Sequence, residues 1–482
     1  MALKISKHEL ESITNFQNDM HYVSNDKEPI TSKFYKEYVK TTWYCTNSVA
    51  LDSVIMKDED MMVGETNRDY TKVKYTVDPH YHYLLYTSLR FVLPAIKVKP
   101  KFASRVRICW CHNIGTNITV SATFKDDDNH YQSWDPIAAD DWYQFFQYEG
   151  AGKRRNHDIG IGNVPMLEAW TDALPSYPIN VDQPWYYGEE PGVAFPIHMR
   201  NSQCRIEHLQ IYKKKVSSLL RMQKLINNVW TNVETADNMK YLLCDSLEIN
   251  KPTLWSRYAY VTDAEIRTNK CKPEMKQRTF YYKDFEVCDG DHNKLYRYGD
   301  AAEMEIKSTN PCLNVFWKAE NMDATKYNNY SNYTCNTNDL YAGWDPIIHQ
   351  SLKCGTMYKF KDMESDHFNI GESRKHTRSS PEEIGYHVLA NAHQSYNYHG
   401  EVGIVYGKDT KLICNFANKD IYALKTKSQV DEEEDEFEFT LPEPEIDTNQ
   451  QSPNFKMRIR LLVIKKLTIN RDDNGNYTFI VT

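Results

Sequence analysis

Short runs of alternating apolar and polar residues recur along most of the chain, and they restrict its fold more than any other feature. Turn residues, rather than long helical patterns, separate most of these runs, which lie at 85–93, 106–110, 117–124, 204–212, 279–287, 313–318, 400–406, 411–416, 457–469 and 477–481. Such alternation is typical of half-buried strands, and strands without long helices between them form antiparallel sandwiches. The chain is therefore predicted to be all-β.

The amino-acid composition favours the same fold class. Tyrosine occurs 34 times and leucine 28 times, although leucine is usually the commonest residue of a helical protein. The 482 residues suit two domains of about 200 residues each. A formal net charge of −8 excludes a generally basic chain that coats nucleic acid.

Cysteine usage and hydropathy indicate a reducing compartment. The eleven cysteines are odd in number and none falls in a CxxC pair, so a disulfide framework is not expected. No stretch approaches the roughly 18 uninterrupted apolar residues of a membrane span. The first residues, MALKISKHELES, lack the apolar core of a signal peptide. We therefore expect a protein that is made and kept in the cytosol.

The middle of the chain predicts a helix between two similar halves. In the segment 216–230, VSSLLRMQKLINNVW, the residues Val216, Leu219 and Leu220 approximate one helical face. The sequence Trp-Asp-Pro-Ile occurs at 134–137 and again at 344–347, which favours an internal repeat. The predicted organisation is an N-terminal arm at 1–40, a first sandwich at 41–215, a helical connector at 216–250 and a second sandwich at 251–482.

Signatures of common catalytic sites are missing from the sequence. There is no Walker or dinucleotide-binding glycine loop, no GxSxG elbow and no HExxH helix. The adjacent carboxylates Asp140-Asp141 and Glu189-Glu190 could suggest glycoside hydrolysis. Adjacent residues of a strand point to opposite faces, however, so structural use of both pairs is favoured.

Histidines and cysteines leave a metal site as an alternative. His80 and His82 would share a strand face, as the histidines of a cupin-type site do. Cys109 and Cys111 would also share a face, next to His112. Neither set completes a tetrahedral group of ligands, so no catalytic residue, cofactor or metal ligand is predicted.

Four sequons are potential glycan acceptors, and they lie at Asn117, Asn329, Asn332 and Asn476. They are expected to stay unmodified in a cytosolic protein.

The acidic run DEEEDEFE at 431–438 is predicted to be a solvated loop, since a block of like charges repels itself. A site for a cation or a basic partner is the alternative for that run.

The order of the strand-like segments along the chain resembles that of a known protein family. In the first half they are YLLYTSLRFVLP (83–94), RVRICW (105–110), ITVSATF (118–124), HDIGIGN (157–163), WYYGEEPGVAFPI (185–197) and CRIE (204–207). The second half continues with WSRYAYV (255–261), IKSTNPCLNVFWKA (306–319) and the final run at 457–469. In this order they resemble the major capsid proteins of nucleocytoplasmic large DNA viruses, of the iridovirus and asfarvirus kind, over about residues 35–482.

This resemblance implies a double jelly roll, in which two eight-stranded antiparallel sandwiches follow each other with short helices in the connections. It implies a structural protein, not an enzyme, whose homotrimers form pseudo-hexameric capsomers of an icosahedral outer shell, in a virion assembled in the host cytoplasm. Neighbouring capsomers would be partners, and the N-terminal arm would contact minor capsid proteins or inner-membrane-associated proteins. No direct contact with nucleic acid is expected.

Two segments have predicted places in a capsomer. We hypothesise that, in such a capsomer, the run YNNYSNY at 327–333 and the insertion at 431–449 are exposed loops at the outer crown or at the trimer joint. The alternatives are a minor or penton-type capsid protein of the same fold, and a carbohydrate-binding β-sandwich protein.

Overall fold

A computed structural model describes residues 46–50, 52–55 and 69–482, with gaps at 147–150, 190–192, 201–203, 245, 260–276, 292–293, 394, 396–402, 408, 418–452 and 473–476. The predicted arm at 1–40, the insertion at 431–449 and the sequon at Asn476 lie outside the described residues.

Strands dominate the described part of the chain. They are β1 (Thr46–Ala50), β2 (Asp52–Ile55), β3 (Tyr70–Thr76), β4 (Tyr83–Leu93), β5 (Ile96–Val98), β6 (Val106–Trp110), β7 (Thr119–Asp126), β8 (His130–Trp134), β9 (Ala173–Leu174), β10 (Tyr177–Asp182), β11 (Phe195–Pro196), β12 (Ile206–Lys213), β13 (Leu220–Ile226), β14 (Val229–Val233), β15 (Leu242–Cys244), β16 (Thr253–Ala259), β17 (Gln277–Val287), β18 (Ala301–Glu305), β19 (Cys312–Asn321), β20 (Ile347–Cys354), β21 (Met357–Glu364), β22 (His387–Ala390), β23 (Thr410–Phe416), β24 (Phe455–Arg471) and β25 (Tyr477–Val481).

The helices are short and lie in the connections. The α-helices are α1 (Ile114–Asn117), α2 (Pro136–Phe146), α3 (Ala151–Ile161), α4 (Pro165–Glu168), α5 (Thr235–Asn238), α6 (Met322–Thr325) and α7 (Glu372–His376). Single turns of 3₁₀-helix lie at 100–102, 186–188, 197–199, 216–218, 239–241 and 340–342, and a π-helical turn lies at 367–371.

Two antiparallel sheets form the sandwich of the first half. One has the order β1-β16-β4-β10, with β11 also paired to β4, and the other has the order β2-β3-β12-β7-β8. Strand β10 shows the alternation typical of a half-buried strand, since Ile179 and Val181 are buried while Pro178, Asn180 and Asp182 are exposed. Phe124 of β7 meets Phe195 of β11 with ring centroids 5.2 Å apart, so the two sheets share one core.

The second half repeats this arrangement. One sheet has the order β17-β24-β19-β22, with β25 also paired to β24, and the other has the order β18-β23-β20-β21. Phe416 of β23 stacks on Phe455 of β24 at 5.4 Å between ring centroids, which joins the two sheets in a common core.

The helix predicted at 216–230 is wrong. The segment forms a β-hairpin, in which β13 pairs with β14 on one side and with β6 on the other. The first four residues of β13 are all buried, so the strand does not alternate and its apolar residues imitate a helical face. The sequence feature that indicates this hairpin is the pair Asn227-Asn228. The two residues have positive φ angles of 49° and 64° and form a two-residue hairpin turn.

The predicted boundary at residue 251 is also corrected. Strand β16 pairs with β1 and β4, so it belongs to a sheet of the first half, and β17 is the first strand of the second half among the described residues. Of the strand predicted at 400–406, the described residues form only a single bridge between Ile404 and Cys312. The two Trp-Asp-Pro-Ile copies are not equivalent, because the first leads into α2 and the second leads into β20.

The described cysteines are nine free thiols, in agreement with the absence of a disulfide framework. No helix of the described residues has the length and hydrophobicity needed to cross a bilayer.

The hairpin turn gives a first prediction. Replacing Asn228 by Val should lower the free energy of unfolding by about 1–2 kcal/mol, because a β-branched residue is strained at positive φ. Asn228→Gly should preserve or raise that free energy. Denaturant titration measures both, with Thr231→Val on the exposed face of β14 as the control. Equal stabilities of the Gly and Val variants would contradict the turn assignment.

Candidate functional site: the polar interface between the two halves

Helix α2 of the first half provides two buried carboxylates at the interface. Asp135 begins this helix by accepting a hydrogen bond from the Ala138 amide at 2.8 Å, and Pro136 follows, as is common in the first helical turn. The adjacent Asp140 and Asp141 are both buried. Their structural use was predicted, but they lie on a helix and not on a strand.

Lys318 of β19 meets these carboxylates from the second half. Its Nζ donates to Asp141 Oδ1 at 2.7 Å and to the Ile137 carbonyl at 3.0 Å. The side chains of Lys318 and Asp141 are each only 1% exposed. The Lys318 ammonium also lies 4.6 Å from the ring centroids of both Tyr333 and Tyr386. A buried cation is thus enclosed by one carboxylate, one carbonyl and two aromatic faces.

Burial changes the proton affinity of both carboxylates. It raises the pKa of Asp141 to about 6, although Lys318 acts in the opposite direction. Burial also raises the pKa of Asp140, again against Lys318. Asp140 accepts hydrogen bonds from the Tyr333 hydroxyl at 2.9 Å and from Asn113 Nδ2 at 3.2 Å.

Two more ion pairs join the halves. Arg460 of β24 donates from Nη2 to Asp135 Oδ2 at 2.5 Å and also binds Asp289. Burial would lower the pKa of Arg460, but the two aspartates raise it above its usual value. Lys283 of β17 donates to Glu189 at 2.8 Å and is 2% exposed. The first of these pairs joins residues 325 positions apart, so no local pattern could have indicated it.

His112 connects three segments of the chain. Its Nδ1 lies 2.6 Å from Glu168 of α4, and its Nε2 lies 2.8 Å from Glu383 of the second half. Burial would lower the pKa of His112, but Glu383 and Glu168 together raise it well above 6.5. A protonated His112 therefore links the two halves electrostatically.

The loop at 327–333 is inserted between the halves, which corrects the prediction that it is exposed. Asn328 donates from Nδ2 to the carbonyls of Ser217 and Leu220, each at 2.7 Å. Asn117 donates from Nδ2 to Ser331 Oγ at 2.8 Å. Asn328 and Ser331 have positive φ, so the loop turns sharply to reach these partners.

Three of the four sequon asparagines lie in this buried region. Asn329 and Asn332 donate from Nδ2 to the carbonyls of Thr337 and Asn336, at 3.0 and 2.8 Å, and Asn117 is bonded as above. A glycan on any of the three would have to displace these hydrogen bonds.

The predicted metal alternatives gain no support from the geometry of the described residues. Burial raises the pKa of Cys109 and of Cys111 to about 12, which disfavours the thiolates that bind metal. Both ring nitrogens of His112 face carboxylates. His80 lies in a turn before β4 and contacts Asp78, so it does not share a strand face with His82.

A different group of ligand-type side chains consists of Asp126, Asp128 and Cys204. Sequence reasoning did not predict this group. Arg200 Nη2 already lies 2.5 Å from Asp126 and 3.1 Å from Asp128, so a guanidinium neutralises both carboxylates.

A cluster of the buried Ser365 and His387 with the half-buried Asp345 has the residue types of a hydrolase triad but a different geometry. Both Ser365 Oγ and Asp345 Oδ2 contact the same nitrogen, His387 Nε2, at 2.6 and 2.7 Å. In a catalytic triad the serine and the aspartate contact opposite nitrogens of the histidine. This cluster therefore cannot transfer a proton as a triad does.

Comparisons with known proteins agree with the architecture. No protein-family model matches the chain. The chain is 23% identical to the major capsid protein of Invertebrate iridescent virus 6 over 405 residues, which cover 79% of this chain and 82% of that protein. It is 21% identical to the major capsid protein of Wiseana iridescent virus over 399 residues, covering 79% and 78%.

Solved structures give the fold independently. VP54 of PBCV-1 aligns with a TM-score of 0.59 at 9% identity, covering 92% of this chain and 98% of that one. The Faustovirus major capsid protein aligns with a TM-score of 0.58 at 7% identity, covering 88% and 90%. The resemblance to the major capsid proteins of large DNA viruses is confirmed. The fold is the predicted all-β double jelly roll.

The ion pair between the two jelly rolls gives a second prediction. Lys318→Met should lower the free energy of unfolding by about 3–5 kcal/mol, because it leaves Asp141 buried without a cation. The double variant Lys318→Met with Asp141→Leu should recover most of that loss. Lys326→Met is the matched control, since Lys326 forms an exposed pair with Asp323 and should cost less than about 1 kcal/mol. Additive losses in the double variant would contradict the pairing.

His112 gives a third prediction, on the pH dependence of the double jelly roll. Its pKa is raised on folding, so its contribution to stability is complete below its ordinary pKa of 6.5 and is lost as the pH rises through the folded pKa. The free energy of unfolding should therefore fall more steeply above pH 6.5 in the unmodified chain than in His112→Asn. The exposed His80→Asn variant should keep the original profile. Parallel profiles for all three proteins would exclude this role.

Proposed function

We propose that the chain is a major capsid protein of a large DNA virus, and that three copies form a pseudo-hexameric capsomer of the icosahedral outer shell of the virion. One observation carries the proposal: the similarity to iridovirus major capsid proteins covers 79% of the chain and 82% of the first relative. An alignment of that length necessarily extends into both halves of the chain.

The physical logic of the proposal is symmetry. Three chains with two similar sandwiches each present six similar units, which can fill positions of a hexagonal lattice. A capsomer that fits such a lattice must hold the two sandwiches of each chain at a fixed angle to each other. The pairs Lys318–Asp141, Arg460–Asp135 and Lys283–Glu189 connect the sandwiches in a way that suits this requirement.

The second jelly roll offers a surface for contacts between subunits. Among the strands that the structure describes, β21 lies at the edge of its sheet, and most of its side chains are exposed. Met357 and Tyr358 on this strand are 74% and 44% exposed. An edge strand with exposed apolar side chains favours association, so we place a contact between copies of the chain here.

The domain limits of the proposed capsid protein follow the sheets. We assign the strands up to β16 to the first jelly roll and those from β17 onward to the second. We propose that the arm at 1–40 contacts minor capsid proteins or inner-membrane-associated proteins, and that assembly takes place in the host cytoplasm. Contact with nucleic acid is not part of the proposal, since the net charge is −8.

A minor or penton-type capsid protein of the same fold is the second candidate. The chain matches 82% of the length of the first relative, which favours the major capsid protein over this candidate. A carbohydrate-binding β-sandwich protein without a shell function is the third, and it would be a monomer.

Light scattering during size-exclusion chromatography tests the proposal. The capsomer should elute with three times the 56.6 kDa mass of the chain, and negative-stain images should show a six-sided outline. Met357→Glu with Tyr358→Glu should reduce the trimer fraction if β21 is a contact, whereas Ile226→Glu, at an exposed position in a sheet of the first half, should not. A monomer at every concentration would contradict the proposed function.

A further inference from the structure

A cavity of about 470 Å³ lies between the two jelly rolls and has no part in the proposed assembly. The three-stranded sheet β14-β13-β6 of the first half forms one wall, and residues 338–341 of the second half form another. Sites of this size at the junction of two domains are typical places for small ligands.

Two arginines and two tryptophans form a stack in this cavity. The Arg107 guanidinium lies 4.3 Å from the ring centroid of Trp230 and 5.3 Å from that of Trp170. The Arg221 guanidinium lies 5.1 Å from the Trp170 ring. Arg107 is opposite Gln223 in the register of β6 and β13, and its Nε donates to Gln223 Oε1 at 2.7 Å. The sheet therefore fixes the positions of both cations.

Neither arginine has a carboxylate partner among the described residues. Arg221 is 9% exposed, yet its Nη2 donates only to the Asn338 carbonyl, at 2.7 Å. Burial lowers the pKa of Arg107, as expected for a guanidinium without a close counterion. The indole Nε1 of Trp110, which also lines the cavity, is buried without a hydrogen-bond partner. Desolvated donors of this kind are best satisfied by an anionic group.

Acceptors and an exposed ring accompany these donors. Glu168 and Asp339 line the cavity, and the Tyr341 side chain is 66% exposed beside them. Two carboxylates would repel a uniformly anionic ligand such as an acidic peptide or an oligonucleotide. They can instead accept hydrogen bonds from hydroxyl groups, while an aromatic ring can pack against the apolar face of a sugar.

We propose that this cavity binds an acidic saccharide, with its carboxylate or sulfate group against Arg107 and Arg221 and its sugar ring against Tyr341. The hydroxyl groups of the sugar donate to Glu168 and Asp339. This binding site goes beyond the proposed shell function and does not depend on it, because all of its residues belong to one chain.

Isothermal titration calorimetry of the full chain tests the site. The probes are a hyaluronan tetrasaccharide and sialyllactose, with maltotetraose, tetraglutamate and inorganic sulfate for comparison. At least one acidic saccharide should bind more tightly than all three comparison compounds. Arg107→Met should weaken that binding by at least about ten-fold, since a hydrogen-bonded charge is lost. Tyr341→Ala should weaken it too, and this residue is 66% exposed.

Arg90→Met is the matched control, because Arg90 is an exposed arginine that lies 4.7 Å from the Trp255 ring, outside the cavity. It should bind the saccharide as the unmodified chain does. The site assignment is overturned if none of the acidic saccharides binds, or if Arg107→Met and Tyr341→Ala bind normally while their unfolding temperatures match the original. Tighter binding of tetraglutamate, maltotetraose or sulfate would overturn the saccharide class.

Discussion

The rest of this structure depends on one constraint. Buried charged side chains of one half form ion pairs with side chains of the other half. A charge removed from water without a partner costs several kcal/mol. Lys318 and Arg460 are almost fully buried in the second jelly roll, and their carboxylates Asp141 and Asp135 belong to the first. If the jelly rolls separated, Lys318 would lose its carboxylate partner and Arg460 would keep only Asp289, so each half depends on the other for the pairing of its buried charges.

This dependence distinguishes the molecule from two sandwiches joined by a linker. Buried ion pairs add little net stability compared with apolar packing, but they disfavour other arrangements, because a shifted interface would leave charges unpaired. The buried loop at 327–333 adds directional hydrogen bonds to the same interface. A fixed angle between two similar sandwiches is what a tile of a regular shell needs, and it also shapes the cavity between them.

The strands could be predicted from the sequence wherever their alternation is local. The prediction at 106–110 coincides with β6, and that at 457–469 lies within β24. Strand β13 was missed because burial on both faces removes the alternation. The interface could not be predicted, since its pairs join residues far apart in sequence and each residue alone resembles an ordinary surface charge. The hypothesis that 327–333 is an exposed capsomer loop was also wrong, because its asparagine amides bind backbone carbonyls inside the protein instead of water.

Native-state hydrogen exchange in increasing denaturant tests most directly whether the two jelly rolls are one cooperative unit. The slowest amides of β4 in the first half and of β24 in the second should converge on one opening free energy, because separation of the halves exposes unpaired charges on both sides. Complete opening of one jelly roll, while the central strands of the other stay protected from exchange, would contradict this cooperative unfolding.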